Sequence, residues 1–263
     1  MADDRFLDGK AALVTGASRN LGAVIAERLA HHGAAVAVNY HASAEAAEGL
    51  VERLRNETGG KHVAIQADVR ESAEIRRLVE TAAEALGGRV DVLINNAGPF
   101  SMTPYSELPE SDWDHIWDVN VKAAYLASQC VAPAMMTAGW GRIVNISAAS
   151  YVLRNHSIYG LAKDALIFLT EELAVELGPE VTVNAVAPGQ IIESAADIAE
   201  FDPTFVDRSI EATPAGRLVT RREVADVVAA LCSPPFAVVT GATIPVDGGF
   251  HLRCFGGRKR PYR

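Results

Sequence analysis

The stretch AALVTGASRNLG, from Ala11 to Gly22, decides the fold of this chain. Its first four residues are apolar and predict a buried strand, and the turn that follows leads into the helical pattern AVIAERLA. A glycine-rich turn between a strand and a helix presents backbone N–H groups and the positive end of a helix dipole to a phosphate. Gly16 has no Cβ, so its backbone can approach such a group closely. The stretch therefore predicts a phosphate-binding turn at the start of an α/β fold.

Strand and helix patterns alternate along the rest of the chain. Further strand patterns are AAVAVNY (34–40), HVAIQADV (62–69), VDVLIN (90–95), GRIVNIS (141–147), VTVNAVA (181–187) and ATIPVD (242–247). Helical patterns cover about 43–57, then 74–86, then a long helix from a capping-box-like start at Ser111 and Asp114 through Met136. This alternation indicates a Rossmann-type doubly wound parallel sheet with helices on both faces. Since no linker is rich in Pro, Gly or Ser, we expect one domain over residues 1–263.

The composition excludes several classes of protein. A net charge of -9 argues against a nucleic-acid partner. No stretch approaches an apolar span of about 20 residues and MADDRFLDGK lacks a hydrophobic signal region, so we expect no membrane partner and a cytoplasmic location. Cys130, Cys232 and Cys254 are scattered, which favours structural thiols over a metal site or disulfides.

Tyr159 and Lys163 lie four residues apart in HSIYGLAKDALIFL, a helical pattern, so they share one face of the helix. A cation about one turn from a phenol stabilises the phenolate and lowers the phenol's pKa, which suits acid-base catalysis. The same spacing is frequent on helices where the lysine is only a solvated charge. The neighbouring motifs favour the catalytic interpretation.

These motifs follow one another in a specific order. They are TGASRNLG (15–22), Asn95-Asn96-Ala97-Gly98, Asn120, Tyr159 with Lys163, and Pro188-Gly189. Their order and spacing resemble the short-chain dehydrogenase/reductase family over about residues 8 to 250, and VDGG (246–249) is similar to the family's closing strand and turn. The resemblance implies an NAD(P)(H)-dependent oxidoreductase acting on a small-molecule carbonyl or alcohol, usually as a homotetramer or homodimer.

The resemblance also implies roles for individual residues. Tyr159 would donate a proton to a carbonyl oxygen, Lys163 would lower the phenol's pKa and hold the nicotinamide ribose hydroxyls, and Asn120 would hold a water that relays protons to the lysine. A satisfied core amide is the alternative for Asn120. Residues placed at the cofactor are Gly16, Ser18, Arg19, Asn20, Leu21, Asn39, Tyr40, His41, Asp68, Val69, Asn95, Ala97, Gly98, Tyr159, Lys163, Pro188 and Gly189. Asp68 would contact the adenine ring, or would simply be a turn residue at a strand end.

Charge favours NADP(H) over NAD(H), which stays possible. NAD-specific sites hold the ribose 2′-OH with a carboxylate about 20 residues past the glycine turn. Here the second strand ends Asn39-Tyr40-His41, without a carboxylate, and the turn supplies Arg19, whose guanidinium suits a phosphate. The alternative for Arg19 is a solvent-facing loop charge.

The catalytic serine of the family is where this chain departs from the pattern. The family's register gives Ala148, and the segment before Tyr159 is about two residues shorter. We favour Ser147 as the hydroxyl that orients the substrate carbonyl, with Ser150 as the alternative; the absence of any such serine is the third possibility. Asn20 stands where the family's turn usually has its second glycine, and asparagine tolerates left-handed backbone.

The substrate stays open at this level. Asn20, Tyr40 and His41 resemble the pteridine reductase branch, whereas residues 213–217 and 246–249 resemble 3-oxoacyl-thioester reductases and sugar dehydrogenases. A carbonyl reductase acting on a 3-oxoacyl thioester, a ketone or a sugar-like substrate is the favoured function. The alternatives are a pteridine-type C=N reductase and a non-catalytic NADP-sensing regulator.

Two segments lie outside the core motifs. Residues 190–215, which resemble the family's substrate lid, include the acidic residues Glu193, Asp197, Glu200, Asp202 and Asp207, which disfavour a strongly anionic substrate unless they form a solvated helix face. Residues 251–263 carry five basic residues and no acidic one. We expect this tail to contact an acidic surface of a neighbouring subunit, the alternative being a disordered tail.

Overall fold

In the computed structural model, which describes residues 5–149, 157–199 and 202–252, seven parallel strands form one sheet. The strands are β1 (Ala11–Val14), β2 (Ala35–Tyr40), β3 (His62–Gln66), β4 (Val92–Asn95), β5 (Gly141–Ile146), β6 (Val181–Pro188) and β7 (Thr243–Val246). Their order across the sheet is β3-β2-β1-β4-β5-β6-β7. The predicted Rossmann-type parallel sheet is confirmed.

Helices cover both faces of this sheet. They are α1 (Asn20–His31), α2 (Ala44–Thr58), α3 (Ser72–Leu86), α4 (Glu110–Trp117), α5 (Ala123–Thr137), α6 (Ile158–Leu177), α7 (Ile192–Ala199), α8 (Phe205–Ala212) and α9 (Arg221–Leu231). One apolar core packs α1, α2 and α9 on the sheet, and the other packs α3, α5 and α6. Successive side chains of β1 point to opposite faces of the sheet, so Val14 belongs to the first core and Leu13 to the second.

The strand order creates a crevice at the carboxyl ends of the central strands β1 and β4. The chain runs outward from β1 through β2 to β3 and then returns to β4 on the other side of β1, where Ala12 pairs with Val92. In open parallel sheets, ligands bind beyond the carboxyl ends of the strands at such a reversal. The crevice therefore lies between the turns that follow β1 and β4.

The long helix predicted to start at Ser111 and Asp114 is different in the structure. The helix begins earlier, at Glu110, and Pro109 precedes it without a side-chain cap, so the expected capping box is wrong. A π-helical segment, Asp118–Lys122, then separates α4 from α5. A π turn places one extra residue in the helix, so it leaves little trace in a pattern read at 3.6 residues per turn.

The segment expected to be a substrate lid contains α7 and α8, and Ile191 bridges to Val219 where the segment begins. Some of its acidic residues have partners. Glu193 accepts hydrogen bonds from the backbone N–H of Arg221, at 3.2 Å. Asp202 forms an ion pair with Arg208. Two of the acidic side chains that were expected to disfavour an anionic substrate therefore have partners within the chain.

Parts of the sequence interpretation fall outside the described residues. Ser150, the alternative serine, and residues 253–263 of the basic tail lie there. Within the described part of the chain, no helix is long and apolar enough to cross a membrane. Nor do His, Cys, Asp or Glu side chains gather there in a group that could hold a metal ion.

Candidate active site

The turn after β1 is fixed against the turn after β4 by hydrogen bonds. Thr15 Oγ1 accepts from the backbone N–H groups of Asn96 and Ala97, at 3.0 and 3.1 Å. Asn96 Nδ2 donates back to the carbonyls of Thr15 and Gly16, at 2.9 and 3.1 Å. A Cβ on Gly16 would lie 3.0 Å from Ala97 Cα, and Gly16 has a φ of 61°. Only glycine fits this close, left-handed position.

Asn20 confirms that asparagine can replace the family's second glycine, because its φ is 53° and yet α1 starts there. Arg19 is the N-cap residue of α1 and makes no side-chain hydrogen bond to the helix. No acidic side chain lies in the first turn of α1 either. The N-terminus of α1 therefore has no built-in anion of its own, which fits an external phosphate.

A cavity of about 530 Å³ opens at this crevice. It is lined by Gly16, Ser18, Arg19, Asn20, Leu21, Gly22, Asn39, Tyr40, His41, Ala42, Ser43, Ala67, Asp68, Val69, Arg70, Asn96, Ala97, Gly98, Pro99, His115 and Val119. Most of the residues that sequence comparison placed at the cofactor thus surround one space, which has the volume of a small-molecule site. Asn95, Tyr159, Lys163, Pro188 and Gly189 are not among its lining residues.

Basic side chains line part of the cavity. Arg19 and His41 are exposed there, and Arg19 takes part in no salt bridge within the described part of the chain. Asp68 is held by Arg70, whose Nε lies 3.0 and 2.9 Å from its two carboxylate oxygens. The Arg70 guanidinium lowers the pKa of Asp68 to about 2, so Asp68 stays ionised and paired. The adenine contact of Asp68 stays a prediction.

Asn39, the penultimate residue of β2, and Asn95, the last residue of β4, have buried side chains with structural partners. Asn39 Oδ1 accepts from the Gly16 N–H at 3.1 Å, which ties β2 to the phosphate-binding turn. Asn95 Nδ2 donates to Asn145 Oδ1 at 2.8 Å, beneath the crevice. Of the two neighbouring asparagines, Asn96 lines the cavity and Asn95 does not. The contact of Asn95 with the cofactor stays a prediction.

Tyr159 and Lys163 lie together on α6, whose first turn is capped by the Ser157 side chain. Lys163 Nζ lies 5.6 Å from the centre of the Tyr159 ring and donates a hydrogen bond to the Ile146 carbonyl at 2.7 Å. Burial raises the pKa of Tyr159 to about 12 and lowers that of Lys163 to about 7. The expected lowering of the phenol's pKa by the lysine is absent from this structure, since burial outweighs a cation at this distance.

Asn120 lies in the π-helical segment and is buried. Its Nδ2 donates to the carbonyls of Ile116 and Pro99, at 2.9 and 3.2 Å. Its Oδ1 is buried and has no hydrogen-bond partner in the described part of the chain. A Cβ on Gly98 would lie 2.3 Å from that oxygen and 3.0 Å from Lys163 Nζ. Asn120 is therefore not a satisfied core amide, and its free acceptor lies next to the lysine.

Ser147 is buried, and its hydroxyl donates to the Lys163 carbonyl at 2.8 Å. A hydroxyl has one hydrogen to donate, and in this structure the Lys163 carbonyl accepts it. Ala148, in the family's register for the serine, is only partly buried and has no donor on its side chain. The carbonyl-orienting role of Ser147 therefore stays a prediction.

The turn after β6 lies beside the turn after β7. Pro188 accepts a hydrogen bond from the Ala149 N–H at 2.9 Å, and Gly189 donates to the Val246 carbonyl at 2.9 Å. A Cβ on Gly189 would lie 2.5 Å from the Asp247 Cβ. Pro188 and Gly189 therefore lie at the carboxyl end of β6, and the absence of a Cβ on Gly189 permits the close packing against Asp247.

Among the residues at the site that sequence reasoning missed, three have side chains able to contact a ligand or the proposed catalytic groups. Arg70 follows Asp68 by two positions and pairs with it across the cavity rim. His115 lines the cavity from α4. Phe100 contacts Tyr159 edge-on, with ring centres 4.9 Å apart. Only Phe100 carried a sequence signal, since it lies two residues after the motif glycine Gly98 in an apolar context.

Comparisons with known proteins agree with this geometry. Residues 16–251 match a family model described as enoyl-(acyl carrier protein) reductase. The chain is 36% identical to the 3-oxoacyl-[acyl-carrier-protein] reductase FabG of Staphylococcus epidermidis over 246 residues, which are 92% of this chain and 99% of that protein.

Two solved structures are similar over nearly the whole chain. A short-chain dehydrogenase/reductase from Serratia marcescens superposes with a TM-score of 0.85 at 38% identity, covering 94% of this chain and 99% of that one. A gluconate 5-dehydrogenase from Burkholderia cenocepacia, crystallised with NADP and tartrate, superposes with a TM-score of 0.88 at 32% identity, covering 97% of this chain and 100% of that one.

Proposed function

The chain belongs to the short-chain dehydrogenase/reductase family of oxidoreductases, and on that basis we propose that it transfers hydride between NADP(H) and the carbonyl carbon of a small-molecule substrate. Reduction of a ketone or of a related 3-oxoacyl or sugar-like carbonyl is the forward reaction, and oxidation of the alcohol is its reverse. The observation that carries the proposal is the pair of the half-buried Tyr159 and the buried Lys163, which lies beside the Oδ1 of Asn120.

The residues of the crevice fit a dinucleotide. The N-terminus of α1 and the Gly16 backbone suit the pyrophosphate, because the turn offers N–H groups without a competing carboxylate. Leu21, Val69 and Ala97 supply apolar contacts along the cavity. The closeness of Gly98 to Lys163 and Asn120 connects this cavity to the reacting groups.

The protein's own residues supply the proton. The cofactor, when bound, supplies hydride chemistry that no side chain can provide. With a pKa of about 12, the Tyr159 phenol is protonated at neutral pH and can donate to a carbonyl oxygen that gains charge. Asn120 Oδ1 offers an acceptor for a water beside Lys163 Nζ. That water would pass a proton through Lys163 to replace the one that Tyr159 gives up.

The preference for NADP(H) rests on the basic and acidic side chains that line the cavity. Arg19, His41 and Ser43 can all donate to a 2′-phosphate, and the one carboxylate among the lining residues, Asp68, is paired with Arg70. An unpaired carboxylate would repel that phosphate. The similar gluconate 5-dehydrogenase was crystallised with NADP, which supports the same preference.

We also propose that the chain assembles as a homotetramer or homodimer. Leu161, Phe168 and Val175 are spaced by seven residues along α6 and are 42%, 63% and 85% exposed. Tyr125 and Met136 of α5 are likewise exposed. A row of exposed apolar side chains of this kind is typical of a protein interface. Light scattering measures the mass directly, and a monomer of 28.0 kDa at all concentrations would contradict this proposal.

The experiment that tests the function is a spectrophotometric assay of NADPH and NADH oxidation across a panel of carbonyl compounds. We expect turnover of at least one carbonyl class, with a higher kcat/KM for NADPH than for NADH. Oxidation of NADPH by pterin-like C=N substrates alone would favour the pteridine-type alternative. Tight NADPH binding without turnover of any substrate would favour a regulator.

A further inference from the structure

The loop after β4 brings an uncharged, apolar segment up to the proposed proton donor. Residues 98–106, with the sequence GPFSMTPYS, contain no Asp, Glu, Lys, Arg or His and are called the apolar segment here. The segment starts at Gly98, which lies against Lys163 and Asn120. Its next residue, Pro99, accepts a hydrogen bond from Asn120 Nδ2 at 3.2 Å. The beginning of the apolar segment is thus anchored at the site itself.

Phe100 is the point at which the apolar segment contacts the reacting group. Its ring centre lies 4.9 Å from that of Tyr159, with the two planes inclined by 72°. This edge-on geometry is the one that aromatic pairs prefer. Phe100 nevertheless remains 58% exposed. An aromatic side chain that is fixed on one side and open on the other offers a contact surface to a ligand beside Tyr159.

The rest of the apolar segment extends the same character. Met102 and Tyr105 are 65% and 50% exposed. Ser101 and Thr103, on either side of Met102, bond to each other: Ser101 Oγ donates to Thr103 Oγ1 and accepts from the Thr103 N–H, both at 3.3 Å. Ala148, in the family's register for the serine, likewise offers only a methyl group. Phe100 and Ala148 offer no side-chain hydrogen-bond partner to a highly hydroxylated substrate.

We propose that Phe100 is a specificity-determining residue and that the preferred substrate is a ketone carrying an apolar aryl group next to its carbonyl. The proposal rests on the proposed function, because it takes Tyr159 as the proton donor. An aryl group beside the carbonyl carbon would lie against the Phe100 ring while the carbonyl oxygen meets the phenol of Tyr159. Stacked or edge-on ring contact favours planar groups over saturated rings of equal carbon number.

The test compares matched substrates in the wild-type enzyme. Acetophenone and cyclohexyl methyl ketone have the same carbon skeleton size, but only the first has a planar ring, and dihydroxyacetone represents a polar ketone. We expect kcat/KM with NADPH to be about 3- to 10-fold higher for acetophenone than for the cyclohexyl ketone, which is the range of one aromatic pair contact. We expect dihydroxyacetone to be the poorest substrate.

Variants of Phe100 separate a ring contact from a general loss of activity. The Phe100→Leu variant keeps apolar volume and should bring the ratio of the two kcat/KM values close to one. The Phe100→Tyr variant keeps the ring and should retain the ratio. The readout is the ratio of kcat/KM for acetophenone to that for the cyclohexyl ketone. Loss of the contact between Phe100 and Tyr159 could lower kcat for both substrates alike and would leave this ratio unchanged.

The outcomes distinguish the two proposals. Reduction of dihydroxyacetone or the cyclohexyl ketone with no preference for acetophenone would overturn the aryl inference while leaving the proposed function intact. An acetophenone preference that Phe100→Leu leaves unchanged would overturn the role of Phe100. Absence of turnover with every carbonyl tested would overturn both.

Discussion

Lys163 Nζ donates a 2.7 Å hydrogen bond to the carbonyl of Ile146, the last residue of β5. The bond holds the N-terminal third of α6 against the carboxyl end of β5. It also accounts for the position of the ammonium group, which lies next to Gly98. Because the group is 3% exposed, its charge has lost most of its hydration, and burial lowers the pKa of Lys163 to about 7.

This burial predicts a pH-dependent stability. In the unfolded chain Lys163 titrates near 10.5 and in the folded protein near 7, so between these values the unfolded state binds more protons and stability rises with pH. Lys163→Met removes the buried ammonium. Its gain in the free energy of unfolding over wild type should be largest below pH 7 and should shrink as pH rises toward 9, by up to about 1.4 kcal/mol per pH unit, and its gain in Tm should shrink with it.

Thermal unfolding of both proteins at pH 6, 7, 8 and 9 checks this. Taking the difference between variant and wild type cancels the titration of all other groups that the substitution leaves alone. A Tm difference that is independent of pH would show that Lys163 keeps its ordinary pKa in the folded state, and a difference that grows with pH would show that folding raises this pKa.

Sequence patterns predicted the fold well because each element is long or strongly apolar. The strand Ala11–Val14 and its glycine turn lie where expected, and the carboxyl ends of β4, β5 and β6 carry the predicted motifs. The π-helical segment could not be predicted, because its extra residue does not alter the apolar pattern enough to be seen. The helix start at Glu110 was missed because no side chain caps it.

Arg19→Ala should weaken NADPH binding more than NADH binding, by about 1 to 3 kcal/mol, since only NADPH carries the 2′-phosphate that the guanidinium would contact. Arg53→Ala is the matched control, because Arg53 is also an exposed arginine but pairs with Glu27 outside the cavity. Fluorescence titration of both cofactors measures the four dissociation constants. An equal loss for both cofactors in Arg19→Ala would remove Arg19 from the preference.

Ser147→Ala should act mainly on stability. The hydroxyl donates to the Lys163 carbonyl inside the protein, so its loss should cost about 1 kcal/mol in the free energy of unfolding and change kcat/KM by less than about tenfold. Urea unfolding and steady-state kinetics on the same preparation measure both. A fall of 10² or more in kcat/KM at unchanged stability would instead support the carbonyl-orienting role of Ser147.

The candidate site shows where sequence reasoning stops. Spacing placed Tyr159 and Lys163 on one helix face, and the structure brings them together. It could not supply their pKa values, because these depend on burial by distant parts of the chain. Nor could it tell which atom each hydroxyl contacts, so the bond of Ser147 to the backbone of α6 was not predicted.

The most direct test of the proposed mechanism is single-turnover NADPH oxidation by wild type and Tyr159→Phe, with a ketone that the wild type reduces. Tyr159→Phe removes only the proton donor, so NADPH should bind with nearly the wild-type dissociation constant while the rate of oxidation falls by about 10² or more. A variant that binds NADPH normally and reduces the ketone at the wild-type rate would contradict the account, because the proton would then come from another group.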